Sequence, residues 1–565
     1  MAARIDAAPV SPHLSRDAPL APDRDLRALR PLHSLVPAHR CRARDRARPA
    51  RLGLGCAGLL RRHRAAQLPG LAADGCARAP TPGASVTLAS LGLLALVFYL
   101  AGLIGIAELA RRARRDLSPA DHFLAGRELG VFVLFLTLYA TAYSGNSLLG
   151  YPGEAYRRGF SWIMATGFMM SIIVVFHLLV PSLRPLSVAH GFVTPGDYIQ
   201  LRFGGERGAR ALRFGVAALM SVALANFLLA QLMAMGHVTH QITGGLLPYE
   251  AGVVGLAAMI LFYEVRGGMR AVAWTDAAQG VLMLLGLMAL LAWVLGAAGG
   301  LEGITRQILQ VRPEAARVPD ARECANWAST IILLGVASVV YPQAIQRIYA
   351  ARTGAALKRS LALMTFMPLS TTAVVTLIGL AAIPLFSELG SIEADTVMPR
   401  LLELWAAAGP IYLGAAVLVF IGALAAIMST ADSVLLSLGS VVAEDLLGRS
   451  RLDPSTTRLG KRVSIGITIG VVGLALFPRF TLWRLIELKM ELLIQCAPAF
   501  LVALNWRGLR AAPAFWGLLL GTTLAVGGLL SGVTRVAGVH VGVLGLGLNL
   551  TLALLLSLLA GRRPS

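Results

Sequence analysis

Residues 136–153 read LTLYATAYSGNSLLGYPG, and in this run Thr, Ser, Gly and Asn accumulate in the middle of an apolar stretch that begins near residue 128. Gly, Ser and Asn weaken a helix because they offer the backbone other conformations and other hydrogen bonds. In hydrocarbon an unpaired backbone N–H or C=O costs several kcal/mol, so a broken helix survives there only where protein or a water-lined cavity covers it. The segment therefore reads in two ways. It is an unwound mid-membrane helix whose carbonyls can replace the water shell of an ion, or it is a small-residue face for close helix packing.

That the surroundings are a membrane follows from composition. Of 565 residues, 56% are hydrophobic and only 14% charged, with a mean hydropathy of +0.69; a soluble chain carries roughly 25% charged residues. Apolar runs that reach across a bilayer lie at about 85–110, 128–150, 159–183, 208–242, 248–265, 271–297, 324–348, 360–385, 409–440, 462–479, 482–504, 511–532 and 538–560, numbered here as spans 1 to 13. One transmembrane domain over 85–565 is expected, all-α and polytopic, with about 13 helices. Loops after odd-numbered spans hold about 25 Lys and Arg, among them Arg111, Arg112, Arg114, Arg115, Arg202, Arg347, Arg352 and Lys358; loops after even-numbered spans hold about ten. The bias places the N-terminus outside and the C-terminus, with Arg562 and Arg563, in the cytoplasm of a plasma or inner membrane.

Span 9 favours the ion-binding reading of span 2. Its segment Gly422–Ser437 places Ala426, Ser429, Thr430, Ser433 and Ser437 at helical spacing on one face. Hydroxyls and carbonyls are hard oxygen donors, and a net-neutral cage of about five suits a monovalent cation better than Ca²⁺ or Mg²⁺, which recruit carboxylates. Asp432 within the same span is a functional candidate, or else a carboxylate that pairs with a loop arginine. Two further segments interrupt apolar runs. At the junction of spans 5 and 6 a Gly267-Gly268 turn opens a helix that carries Asp276 and Gln279. Near the inner end of span 7, Pro342 enters a helix, where it frees a carbonyl and kinks the axis.

Together these segments resemble the sodium:solute symporter family, which includes proline, pantothenate, sugar and iodide carriers. The matching residues are Ser144-Gly145 through Pro152-Gly153, Gly267-Gly268-Met269 through Trp274-Thr275-Asp276 and Gln279, Pro342 through Arg347, and Ala426 through Thr430 with Glu444-Asp445-Leu446. The resemblance covers about residues 85–560. It implies a five-plus-five inverted repeat of the leucine-transporter type, with spans 2–6 and 7–11 as the halves and the first helix of each half broken. It implies Na⁺ as the co-transported ion, held by the carbonyls of Ala140, Tyr143 and Ala426 and the hydroxyls of Ser429 and Thr430. It further implies a solute site near mid-membrane, assigned to Ser144, Asn146 and Ser147 on one side and Ser338 and Gln343 on the other. Asp276, Gln279, Asp432 and Pro342 are assigned to coupling or gating. Some members carry an acidic residue where this chain has Ala142, and aromatics near Leu334 and Ser338, so the chain looks unlike a proline carrier. Glu487 and Glu491 are i,i+4 on span 11 and flank Lys489, an arrangement expected to form an internal or entrance ion network.

The expected function is Na⁺-coupled symport of a small organic solute into the cell, with membrane lipid as surroundings and no obligate protein partner. Two alternatives stand beside it: a proton-coupled carrier of the same fold, and a transporter-like sensor acting with a separate signalling partner. Nucleic-acid binding is not expected, although the net charge is +21, because the basic residues sit in short loops and in residues 1–84, which hold 15 Arg against six Asp. Those first residues form a basic extension without helical or alternating period. Either it touches anionic lipid or a partner, or it is upstream sequence read from a start placed too early, a later start then lying near Val86 or Leu88. An enzyme is not expected. His177, His190, His237 and His240 make no ligand or triad pattern, no phosphate-binding GxxxxGK[ST] occurs, and five scattered cysteines give neither a disulfide framework nor a zinc site.

Overall fold

A computed structural model describes residues 87–560 apart from 114–117, 387–388, 391–392, 451 and 478–480. The basic extension 1–84, Arg114, Arg115, Arg562, Arg563 and the side chain of Asn146 lie outside the described residues. Helices stand at each of the thirteen expected positions. Among the described residues, eight are long and apolar enough to cross a membrane, or nine when the bent pair in span 7 counts as one.

Span 1, Leu88–Arg112, starts at a capping box in which Thr87 and Ser90 satisfy each other's backbone, and ends in Arg111 and Arg112, both bonded to Glu108. Span 2 runs from Val131 to Ala142, stops at Tyr143 (φ −104°, ψ 83°), and resumes as a wide turn over Asn146–Gly150 and a helix over Tyr151–Arg158. Spans 3 and 4 are Met164–Ala189 and Ala209–Ile242. Spans 5 and 6 lie in one helical run, Tyr249–Ala298, broken at Gly268 (φ 60°, ψ −159°). Span 7 breaks between Ala321–Ser338 and Pro342–Ala350, which are bent by 50°; Pro342 is the first residue of the second half, where its missing N–H removes no bond. Span 8 follows at Gly354–Ala381, then span 9 at Pro410–Val441 and span 10 at Pro454–Ala475. Span 11 begins with Leu482–Leu493 and continues through irregular turns to Asn505. Spans 12 and 13, Ala511–Leu530 and Val541–Leu559, are joined by a hairpin of Arg535–Val536 with Val539–His540.

Span 9 is the axle of the domain. Every residue from Val419 to Val441 is buried, so its serines and Asp432 face protein on all sides rather than lipid. Spans 1, 12 and 13 are peripheral and bury fewer residues, chiefly Leu, Ala and Gly, with Val541, Asn549 and Ser557 of span 13.

Contacts between loops sort into two groups by parity. The start of span 2 pairs with the end of span 7 (Leu129 N–H to Ala350 O, 3.2 Å; Arg352 N–H to Leu129 O, 3.0 Å). Arg202, after span 3, donates to the carbonyls of Ala503 and Arg507 after span 11 (3.1 and 2.9 Å), and Thr194 donates to Asp445 at the end of span 9 (2.8 Å). On the other side, Arg157 after span 2 meets Asp395 after span 8 (3.2 Å), and the Asp395 carboxylate accepts the Leu482 N–H at the start of span 11 (3.0 Å). Loops after odd-numbered spans thus touch one another, as do loops after even-numbered ones. A chain that crossed a slab once per span would produce this pattern.

Gly268 occupies a backbone region open to glycine alone, and an added Cβ would lie 2.5 Å from Nδ1 and 2.6 Å from the carbonyl of His122. Gly268→Ala is expected to lose at least ~1–3 kcal/mol of stability, read as a lower unfolding midpoint in detergent. Gly414→Ala, in the exposed opening turns of span 9 with open space around it, is expected to change the midpoint little. Asp395 offers a pH test. Burial outweighs the attraction of Arg157 and lifts its carboxyl from the ordinary 3.8 to about 6. The folded state therefore holds this proton more tightly than the unfolded chain, and the resulting stabilisation is complete below pH 3.8 and lost as pH rises through about 6. A falling component of up to ~2–3 kcal/mol between pH 4 and 7 is expected in unfolding scans, absent from Asp395→Asn.

Candidate functional site

The two broken spans and span 9 meet in the middle of the domain. Where span 2 stops, the Thr430 hydroxyl of span 9 lies 3.3 Å from the Ala140 carbonyl and 3.1 Å from the Ala426 carbonyl. Three of the five expected ion ligands are therefore together, contributed by two helices and carrying no net charge. Tyr143, the fourth, is the residue at which the helix stops, with its ring buried. Ser429, the fifth, turns its hydroxyl the other way, to the carboxylate of Asp276.

That carboxylate is the hub of a second cluster. Asp276 of span 6 accepts hydrogen bonds from Ser429 and from Thr137 of span 2, and pairs with Arg347 of span 7 at 3.0 Å, neither side chain having any exposure. Arg347 also donates to Thr137 Oγ1 (2.9 Å), the Gln343 carbonyl (3.1 Å) and Ser433 Oγ (2.6 Å). The Ser433 hydroxyl lies 2.8 Å from the Ser429 carbonyl and 3.2 Å from Asp432 Oδ1. Asp432 thus belongs to this buried cluster and not to a loop arginine. Arg347, counted from the sequence among loop cations, is instead a core residue. One turn further along span 9, Ser437 donates to Gln346 Oε1 (2.6 Å), and Gln346 donates to Ser440 (2.7 Å). The serine face expected from the sequence therefore splits: Thr430 and Ala426 meet span 2, while Ser429, Ser433 and Ser437 meet spans 6 and 7.

Between the breaks lies a cavity with about 790 Å³ of space not filled by atoms. Ser144 and Ser147 of span 2 and Ser338 of span 7 line it, and so does Ala142. Gln343 does not; it is buried beneath the second half of span 7, and neither end of its amide has a hydrogen-bond partner among the described residues. Gln279 donates to the Tyr99 hydroxyl of span 1 (2.7 Å), away from the ion ligands.

The expected network of Glu487, Lys489 and Glu491 does not form. Residues two apart point to opposite sides of a helix. Glu487 pairs with Arg484 (3.2 Å) and Arg535 and accepts from Trp483 (2.9 Å). Glu491 meets His540 at 3.4 Å, and Lys489 faces the cavity. Sequence reasoning gave no role to Thr137 or Arg347. An arginine at the end of an apolar run was the available signal, since intramembrane charge is functional by default.

A helical domain in which the breaks of spans 2 and 7 enclose a cavity, with a neutral oxygen cluster beside it, defines a secondary carrier. The model of the sodium:solute symporter family matches residues 122–521, and the chain belongs to that family. A sodium/pantothenate symporter of Escherichia coli K12 is 28% identical over 69% of this chain and 80% of that protein. An osmoregulated proline transporter of Bacillus subtilis is 24% identical over 84% of this chain and 95% of its own length. Among solved structures, a Na⁺-coupled sialic acid symporter in a substrate-bound outward-open state aligns with a TM-score of 0.67 at 17% identity, over 83% of this chain and 98% of that one. The fold is of the leucine-transporter type, and the protein is a Na⁺-coupled symporter of small solutes in a membrane.

Breaking the buried pair from one side leaves a lone charge in a low-dielectric core. Asp276→Asn and Arg347→Gln are each expected to cost ~3–5 kcal/mol, while the double variant loses less than their sum. Unfolding midpoints of the four proteins, measured in one detergent, test the coupling.

Proposed function

We propose that this protein carries a small organic solute into the cell on the Na⁺ gradient, with Na⁺ held where the interrupted span 2 meets span 9. The observation that carries the reading is the Thr430 hydroxyl, set between the carbonyls of Ala140 and Ala426. Na⁺ there exchanges its water for the oxygens of Ala140, Tyr143, Ala426, Thr430 and Ser429, the last by a rotation of its hydroxyl away from Asp276. Because the ligands come from two helices, the ion ties span 2 to span 9 and steadies the adjoining cavity wall. The solute binds between the breaks, against Ser144, Asn146 and Ser147 on one side and Ser338 on the other, with Gln343 reached only if the cavity extends behind its present wall. Asp276, Gln279, Asp432 and the Pro342 break carry the change to the rest of the bundle. The membrane potential adds about 2.3 kcal/mol per charge per 100 mV.

The orientation is thirteen crossings in a plasma or inner membrane, N-terminus outside and C-terminus cytoplasmic, with residues 1–84 as a basic extension ahead of the transport domain. The parity of the loop contacts and the arginine bias support it. A second reading, proton coupling, draws support from Asp432, which with Asp276 sets two carboxylates against the single guanidinium of Arg347.

The test needs no known solute. Ligand binding to the folded state stabilises it by RT ln(1 + [L]/Kd), so thermal unfolding is followed while Na⁺ is titrated against K⁺ and choline at constant ionic strength. Thr430→Ala is expected to raise the half-saturating Na⁺ concentration at least ~10-fold. An unchanged Na⁺ dependence rejects the site. A response to pH but not to Na⁺, abolished in Asp432→Asn, decides for the proton.

A further inference from the structure

Lys489 is a buried amino group that no carboxylate among the described residues meets. It lies on the inward face of span 11, with Nζ 2.9 Å from the ring centroid of Phe227 and 4.9 Å from that of Tyr341. Ring faces attract an ammonium but do not neutralise it. Among the described residues no carboxylate pairs with Lys489. The two acids nearest in sequence are engaged elsewhere, Glu487 by Arg484 and Arg535 and Glu491 by His540. Asp276 and Asp432 belong to the Arg347 cluster, and Glu154 is held by Arg157 and Arg158 (2.6 Å each). An isolated ammonium taken from water into a protein core costs several kcal/mol unless a counter-charge meets it.

The cavity that Lys489 enters is the one between the two breaks. Its lining includes two cationic side chains, Lys489 and Arg347, and no carboxylate. Arg347 already has Asp276, which leaves Lys489 as the cation free for a ligand. Tyr341 and Ala344, at the start of the second half of span 7, also form the wall, so the positive end of that half-helix adds to the same potential. The rest of the wall is largely apolar, with Ile172, Ile173, Phe176, Leu334 and Ile486.

We propose that the solute is an organic monocarboxylate without an amino group, its carboxylate received by the Lys489 ammonium and its apolar body by the apolar side chains of the same wall. The serine hydroxyls of residues 144, 147 and 338 serve the remaining polar atoms. A free amino acid presents an ammonium to a cavity with no acid to meet it, and a neutral sugar leaves Lys489 unpaired. This rests on reading the cavity between the breaks as the solute site, but it does not depend on where Na⁺ binds.

The experiment uses the purified full chain and three probes of closely similar shape: phenylacetate, its neutral isostere phenylacetamide, and L-phenylglycine, which adds an ammonium at the α-carbon. A series of straight-chain carboxylates from acetate to octanoate covers ligand length. Each is titrated against the unfolding midpoint in Na⁺ and in choline. Carboxylates are expected to stabilise the protein, with at least ~10-fold tighter binding than the amide or the amino acid. Lys489→Met is expected to abolish that preference while keeping the midpoint shift produced by Na⁺ alone, which also certifies its folding; Lys489→Arg is expected to keep the preference in weakened form. The proposal is overturned if the amide or the amino acid binds as tightly as the carboxylate, if no carboxylate in the series binds, or if Lys489→Met leaves carboxylate affinity unchanged. Should Lys489→Met fail to fold, Lys489→Gln replaces it under the same criteria. Carboxylate binding that is equal in Na⁺ and choline upholds the solute class and overturns Na⁺ coupling; a Na⁺ shift without any carboxylate effect does the reverse.

Discussion

The Asp276–Arg347 pair is the contact on which the arrangement of the carrier depends. Neither group has any exposure, so each is tolerable only because the other, with three hydroxyls and a carbonyl, satisfies it. Those partners come from spans 2, 6, 7 and 9. The pair therefore gathers the two interrupted helices against the fully buried span 9, at the depth where a broken backbone most needs cover. The neutral oxygen cluster around Thr430 lies one helical step away and inherits its geometry from the same contact.

The outline of this arrangement was legible in the sequence because bilayer physics leaves few alternatives. Thirteen apolar runs, a basic bias on alternate loops and three interruptions rich in Gly, Ser and Pro led to helices at the same positions and breaks at Tyr143, Gly268 and Val339–Tyr341. The meeting of spans 2 and 9 was legible for a related reason. Spacing along span 9 places Ala426 and Thr430 on one face, and the Thr430 hydroxyl does reach span 2.

What the sequence hid was side-chain partnership across helices. Helical spacing groups Ser429 with Thr430, yet their hydroxyls bond to different helices. Arg347 stands at the end of an apolar run, where a loop cation and a core cation look alike, and only the distant Asp276 distinguishes them. Spacing of i,i+4 suggested that Glu487 and Glu491 enclose Lys489, although an intervening residue points the other way. Pairings of this kind, within the Arg347 cluster and between Thr430 and Ala140, join residues 71 to 290 positions apart, a separation at which periodicity carries no information.

One loop contact has a mechanical consequence. Asp395 touches the second half of span 2 through Arg157 and the first turn of span 11 through the Leu482 N–H, while its own loop presses so closely on Gly153 that a Cβ there would lie 2.8 Å from the Ala394 carbonyl. It is a clasp with three leaves and one pin. Any movement that parts span 2 from span 11 on this face must first pull the pin from one leaf, so the two helices cannot swing apart independently of the loop between spans 8 and 9.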